Sequence, residues 1–312
     1  MNILLIHQYF NTPEQGGPLR SYYLAQGMLE HGHSVTVLTA HNGVGHKQVM
    51  LDGLTVHYLP VFYENQLGFI RRVWAFLKFL VLASRKTPQL GRFDLCYAIS
   101  TPLTVGAIAL RVKRKLSLPY YFEVGDLWPE APIQMGVLKN AWLISFLRSF
   151  ERRVYAGAEK VIALSPAIKQ GVLQSCPQAQ VEVLPNMSDC VFFQPGKKAA
   201  TSKMFTIFYF GAAGKANHLS YLIDVAQMAP AGVRFLIAAK GSELPQLKKQ
   251  AQNLSNVEFL PYLNRAEFKA YLDQADAVYV SYAKLPVLTT GSPHKFFDGI
   301  AAGKLMILNF GG

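Results

Sequence analysis

Over roughly the first 185 residues, short apolar runs alternate with stretches whose apolar positions recur every three to four residues. The runs at 3–7, 35–39, 56–59, 95–99, 120–124, 161–163 and 181–184 have the length of buried strands, and helices fit near 18–30, 67–84, 103–115, 140–156 and 166–174. Residues 193–203 break the pattern: they are polar, contain Pro and Gly, and show no period, so they read as a linker. The alternation then restarts, with strands at 205–210, 233–238, 257–260, 277–281 and 305–308 and helices near 219–228, 243–253, 265–274 and 294–302. Such alternation predicts open, mostly parallel sheets covered by helices on both faces. Two α/β units in series are expected, a domain at 1–192 and a second at 204–312, facing each other across a cleft with ligands at the carboxyl ends of the strands.

Composition narrows the class. With 51% hydrophobic and 16% charged residues the chain can bury a sizeable core, which excludes disorder. Cys96, Cys176 and Cys190 are far apart, so neither a disulfide framework nor a zinc site is expected, as in a reducing compartment. The histidines are scattered, and no clustered ligand set predicts a metal. The first apolar run is too short for a signal peptide and no stretch reaches the ~20 apolar residues of a spanning helix, so a cytoplasmic location is expected.

A net charge of +12 calls for an anionic partner: nucleic acid, a phosphorylated small molecule or an acidic membrane surface. The excess is uneven, because residues 71–115 hold ten basic residues against the single acid Asp94. No nucleic-acid motif appears, and the basic residues accompany an apolar helix rather than stacking aromatics, which argues against nucleic acid. Segment 67–86 reads in one of two ways. It is an amphipathic helix lying on the inner face of an anionic membrane, with contacts from Arg71, Arg72, Trp74, Phe79, Arg85 and Lys86, or it is a core helix with solvated basic flanks.

Three segments carry candidate chemistry. Gly16 and Gly17 precede a helix expected from Pro18; they are either a turn or a place where backbone approaches an anion closely. The spacing is not G-x-G-x-x-G and no acid closes the second strand, which argues against a dinucleotide-binding domain. The second segment, FEVGDLWPE at 122–130, places three acids at a strand's carboxyl end, and Asp126 either contacts a sugar hydroxyl or an acceptor, or caps the loop. The third is TTGSPHKFFDG at 289–299. Ser292 is expected as the N-cap with Pro293 at the first helical position. Lys295 then stands in the first turn, where a cation opposes the helix dipole, and that conflict marks it as an anion ligand. Asp298, one turn further, is suitably placed for a ribose diol.

The chain resembles the retaining GT-B glycosyltransferases of family 4, in the branch that builds bacterial surface polysaccharides, lipopolysaccharide among them, from lipid-linked intermediates. The resemblance runs through GGPLRSYYLAQGMLEHGHSVTVLT, GDLWPE, FERRVYAGAEKVIALSPAIKQGV, VEVLPNMSD, FYFGAAGKANHLSYLIDVA and SPHKFFDGIAAGK. It implies a metal-independent hexosyltransferase with no cofactor. The donor would be a nucleoside-diphosphate sugar, by default a UDP-sugar, and the acceptor a saccharide hydroxyl, lipid-linked in this branch.

The resemblance also implies roles. Gly16 and Gly17 would approach the donor diphosphate and the transferred sugar, and Gly211 to Lys215 would form the diphosphate loop. Lys240 and Gly241 would lie near the base, while the helix start after Gly291 and Ser292 offers, by its own sequence, free N–H groups to a phosphate. Asp298 would be the second acid of the ribose motif, while Asp126 and Lys295 would serve the reaction. Thr290 stands where the family has the first acid of that motif, and Gly125 where it often has histidine. The family usually continues beyond position 312 with a helix that returns to the first domain, so a looser domain arrangement is expected. Two other readings remain open at this point: a truncated, non-catalytic relative that binds nucleotide or membrane, and a nucleotide-sugar epimerase of the same fold.

Overall fold

A computed structural model describes residues 1–17, 19–64, 67–196, 204–261 and 263–310. The chain divides into two compact units, Met1–Pro185 and Asn186–Gly312. Most of the expected linker, 197–203, lies outside the described residues, as does Pro18.

The first unit runs β1 (Asn2–Ile6), α1 (Arg20–Glu30), β2 (Ser34–His41), β3 (Lys47–Leu51), β4 (Leu54–Pro60), α2 (Phe69–Lys86), β5 (Leu95–Ile99), α3 (Thr104–Leu116), β6 (Tyr120–Val124), α4 (Glu130–Gln134), α5 (Ala141–Gly157), β7 (Lys160–Ala163), α6 (Pro166–Ser175) and β8 (Val181–Val183). Its eight strands are ordered β3-β4-β2-β1-β5-β6-β7-β8, and every pairing is parallel except β3 with β4. Leu4, Leu5 and Ile6 of the central strand are fully buried, as a parallel sheet covered on both faces requires. The order turns back at β1 and β5, the point of an open α/β sheet at which the loops leaving the carboxyl ends run to opposite faces.

The second unit repeats the plan with β9 (Phe205–Ala212), α7 (Ser220–Met228), β10 (Val233–Lys240), α8 (Leu244–Gln250), β11 (Val257–Phe259), α9 (Arg265–Gln274), β12 (Ala277–Val280), α10 (Pro286–Thr289), α11 (His294–Ala301) and β13 (Leu305–Leu308). Its parallel sheet is ordered β11-β10-β9-β12-β13, with the reversal at β9 and β12. α9 starts on a capping box, Asn264 accepting from the Glu267 N–H while Glu267 accepts from that of Asn264.

Three expectations change. Helix α1 starts at Arg20, not at residue 18, and its N-cap Leu19 offers no side-chain acceptor. Phe79 does not face a membrane: with Ala75 and Ala83 it forms the i, i+4, i+8 stripe that α2 buries, and it is fully enclosed. The opposite side of α2 exposes Ile70, Trp74, Leu77 and Val81. Strand β3 was not expected, because Lys47–Leu51 shows no alternation and leaves its first four positions exposed at the sheet edge. Among the described residues no helix is long and apolar enough to cross a membrane.

Candidate functional site

In the second unit the sequence-predicted residues converge on the reversal point. Gly211, near the end of β9, has φ +124°, and a Cβ there would come within 3.2 Å of the Lys295 Nζ. That amine lies 4.3 Å above the Tyr209 ring and donates to the Tyr209 hydroxyl at 3.2 Å, while the hydroxyl donates to the Ala212 carbonyl at 2.5 Å. No carboxylate pairs with Lys295 among the described residues, and burial lowers its amine to about 8. A partly buried ammonium in the space that a side chain at Gly211 would fill, without a counter-ion among the described residues, leaves room for an anion.

Gly241, after β10, has a structural reason of its own. A Cβ would lie 2.1 Å from the Ala213 carbonyl, which accepts from Glu243 N–H at 3.0 Å, so the loops after β9 and β10 touch through backbone. Lys215, on the first of those loops, and Lys240, at the end of β10, are both exposed.

Helix α11 carries Asp298. Its carboxylate accepts from the Ser188 hydroxyl at 2.8 Å, and burial raises it to about 6, the Ser188 bond opposing and Asp189 adding to the rise. Ser292 is not the N-cap: that position is Pro293, and the Ser292 carbonyl accepts instead from the Asn186 side-chain amide. Thr290 donates to the Val287 carbonyl at 2.7 Å, closing α10, and Gly291 follows it. The buried Oδ1 of Asn186 has no hydrogen-bond partner among the described residues.

In the first unit the glycine loop folds on itself. Thr12 accepts from the backbone of Gln15 and Gly16 at 3.0 and 3.1 Å, and Gly16 and Gly17 take φ of +69° and +86°, which side chains rarely allow. His7, just past β1, contacts the Ser21 hydroxyl through Nδ1 at 2.9 Å, and burial depresses its imidazole to about 4, so it is neutral at pH 7.

The three acids of FEVGDLWPE separate. Glu123 is buried and receives Arg20 Nε at 2.9 Å, Arg20 Nη2 at 3.1 Å and the Tyr97 hydroxyl at 2.7 Å. Glu130 pairs with Arg148 at 2.7 Å. Asp126 alone of the three has no cationic partner among the described residues; it is exposed and accepts from the Thr101 hydroxyl at 3.3 Å, and desolvation raises its carboxyl above the ordinary value. Arg20 also donates to the carbonyls of Pro185, at 2.6 Å, and Leu184, at 3.0 Å. It thereby ties the helix that follows the glycine loop to the end of the first unit.

A family model, the glycosyl transferase 4-like domain, matches residues 16–187, more than half of the chain. The chain belongs to the glycosyl transferase 4-like family. It is 23% identical over 289 residues to the UDP-N-acetylglucosamine–N-acetylmuramyl-(pentapeptide) pyrophosphoryl-undecaprenol N-acetylglucosamine transferase of Streptococcus suis, covering 90% of this chain and 71% of that one. Among solved structures it is similar to sucrose-phosphate synthase from Thermosynechococcus elongatus, with TM-score 0.73 and 14% identity over 98% of this chain and 80% of that one. It is also similar to Anabaena HepE in complex with UDP and glucose, with TM-score 0.63 and 17% identity over 99% and 80%. The fold of this member of the glycosyl transferase 4-like family is thus the GT-B fold of glycosyltransferases, as its two parallel α/β sheets predict.

Sequence reasoning missed Arg20, Tyr97 and Tyr209. The signal for Arg20 was present, since it too is a cation in a helix's first turn. Tyr209 sits within an apolar strand, and nothing in its spacing distinguishes it from core.

Proposed function

We propose that this glycosyltransferase moves a sugar from a nucleoside-diphosphate sugar, most simply a UDP-sugar, to an acceptor hydroxyl, with retention of configuration. The observation that carries this is Lys295, partly buried beside Tyr209 and Gly211 and without a counter-ion among the described residues. The diphosphate would complete that ion pair, aided by the backbone around Gly291 and Ser292 and by Lys215 and Lys240 at the rim. Charge developing on the departing diphosphate is the costly part of the reaction, and donors fixed in place beforehand stabilise it without reorganising. Asp298 would take the ribose hydroxyls. In the first unit Gly16 and Gly17 would admit the donor sugar and phosphate, and Asp126, free of a cation, would meet the acceptor. The relatives that bind UDP, UDP-glucose and an undecaprenyl-linked acceptor support this choice of substrates. A lipid-linked saccharide of surface polysaccharide synthesis is the proposed acceptor, reached from the cytoplasmic face of a membrane on which α2 rests through Trp74 and its basic neighbours Arg71, Arg72, Arg85 and Lys86.

Calorimetric titration with UDP, GDP and UMP tests the donor site. Diphosphates are expected to bind more tightly than UMP; no heat from any of them defeats the reading.

Asp298 makes the site pH-sensitive. Its carboxyl is held above its usual range, so ionisation carries a folding penalty that is fully present above about pH 6 and is relieved as pH falls toward 4. Donor affinity is expected to move the other way, weakening as pH drops from 7 to 5.5 because the protonated acid accepts less well from a diol. In Asp298→Asn, UDP affinity is lower at pH 7 and the dependence shrinks to the part that the terminal phosphate of UDP, itself protonated at about pH 6, contributes; an unchanged slope in the variant would assign all of it elsewhere.

A further inference from the structure

A second exposed aromatic patch lies on the first unit, beside the helix already assigned to the membrane. α3 packs against both α2 and α5, so the three lie side by side on one face of the sheet. Gly106 of α3 brings α5 in close, since a Cβ there would meet Val154 at 2.7 Å. α5 turns Glu151, Val154 and Tyr155 inward. Its opposite side presents Trp142, Phe146, Ser149 and Arg153, at i, i+4, i+7 and i+11. Trp142 is 89% and Phe146 63% exposed, and Leu143 beside them is 43% exposed. α2 repeats the spacing with Ile70, Trp74, Leu77 and Val81, of which Trp74 is 68% exposed. Between the two helices, α3 exposes Arg111, Arg114 and Lys115.

Large aromatics are expensive to leave in water, and a patch of them rimmed by charge marks an interaction surface. The rim decides the partner. Arg71, Lys78 and Arg85 flank one stripe, Arg153 ends the other, and the cations of α3 separate them. A second copy of this face would meet like charge. An anionic bilayer offers negative headgroups to the arginines and an acyl boundary to the aromatics.

Direction matters as well. α2 follows β4 and α5 follows β6, so both helices start at the carboxyl edge of the sheet, the edge that carries Asp126. α5 has 17 residues and β6 has five, spans of about 25 Å and about 17 Å, so the first turns of α5 reach past that edge.

We propose that α5 is the second membrane contact of this unit, and that Trp74 and Trp142 together seat it on an anionic bilayer with its carboxyl edge turned toward a lipid-borne acceptor. This rests on the membrane reading of α2 given above.

The test is sedimentation of the full chain with vesicles of phosphatidylcholine and phosphatidylglycerol. The wild type is compared with Trp142→Ser/Phe146→Ser and with Trp74→Ser/Leu77→Ser, each checked by circular dichroism. Both variants are expected to lose about tenfold or more in partitioning, since each removes an apolar anchor. Independently, Trp74→Phe/Trp128→Phe leaves Trp142 as the only tryptophan, and brominated acyl chains are expected to quench its emission. Wild-type binding with an unaffected α5 variant and no quenching overturns the role of α5 and leaves that of α2 standing. No wild-type binding overturns both.

Discussion

Replacing Lys295 by alanine is expected to lower sugar transfer by about 100-fold or more and to abolish the preference for UDP over UMP. A donor fixed at the place where transition-state charge develops typically contributes about that much. The amine is fixed by packing on the Tyr209 ring and by its hydrogen bond to the Tyr209 hydroxyl, in space that the missing side chain of Gly211 leaves open. Stability is expected to move the other way or not at all. The fold depresses the amine to about 8, which means the charged form is disfavoured inside, and removing it relieves that penalty. Loss of binding at an unchanged or higher melting temperature therefore separates a ligand role from a structural one. Binding a diphosphate favours the ammonium, so the protein takes up protons on binding near pH 8, and UDP affinity falls between pH 7 and pH 9. Titration in buffers of different ionisation enthalpy measures the uptake. Tyr209→Phe keeps the ring under the amine and loses two hydrogen bonds, the one from Lys295 and the one to the Ala212 carbonyl, so its cost is expected to stay below that of Lys295→Ala. Equal UDP binding by wild type and Lys295→Ala would remove the central argument for the donor site.

Arg20→Ala is expected to be the most damaging single change to the first unit. It strips Glu123 of both its guanidinium bonds, leaves that carboxylate buried beside the Tyr97 hydroxyl, and frees the carbonyls of Leu184 and Pro185. Breaking one side of a buried ion pair costs about 3–5 kcal/mol. For a unit of this size that is a fall of roughly 10 °C in melting temperature. Adding Glu123→Gln to Arg20→Ala removes the stranded charge, so the double change is expected to cost less than Arg20→Ala and Glu123→Gln together. Thermal denaturation of the four proteins decides it, and strict additivity would show that the pair is not coupled.

The sequence patterns located nearly every strand and the longer helices, because a parallel sheet buried on both faces leaves continuous apolar runs. β3 escaped because an exposed edge strand has no buried face to impose alternation. At the site, Lys295 was legible because it violates a local rule, and the structure places it beside Gly211. Arg20 violates the same rule and serves packing, so the violation signals an anion but not whose. The acids of FEVGDLWPE look alike in sequence; only the positions of Arg20 and Arg148, distant along the chain, distinguish Asp126 from Glu123 and Glu130. Phe79 was misread because a helix apolar on most sides does not declare which stripe meets the sheet.

The three thiols differ in a way that is experimentally useful. Cys96 and Cys176 are buried, and burial pushes the Cys96 thiol up to about 12, whereas Cys190 is exposed. Cys190 is two residues from Ser188, the donor to Asp298, and its thiol lies 3.7 Å from the Ser188 carbonyl. A maleimide dye added to the unmodified protein is thus directed to one position near Asp298, the proposed ribose ligand. Its emission would follow nucleotide arrival in real time, with no engineered cysteine and no knowledge of the acceptor.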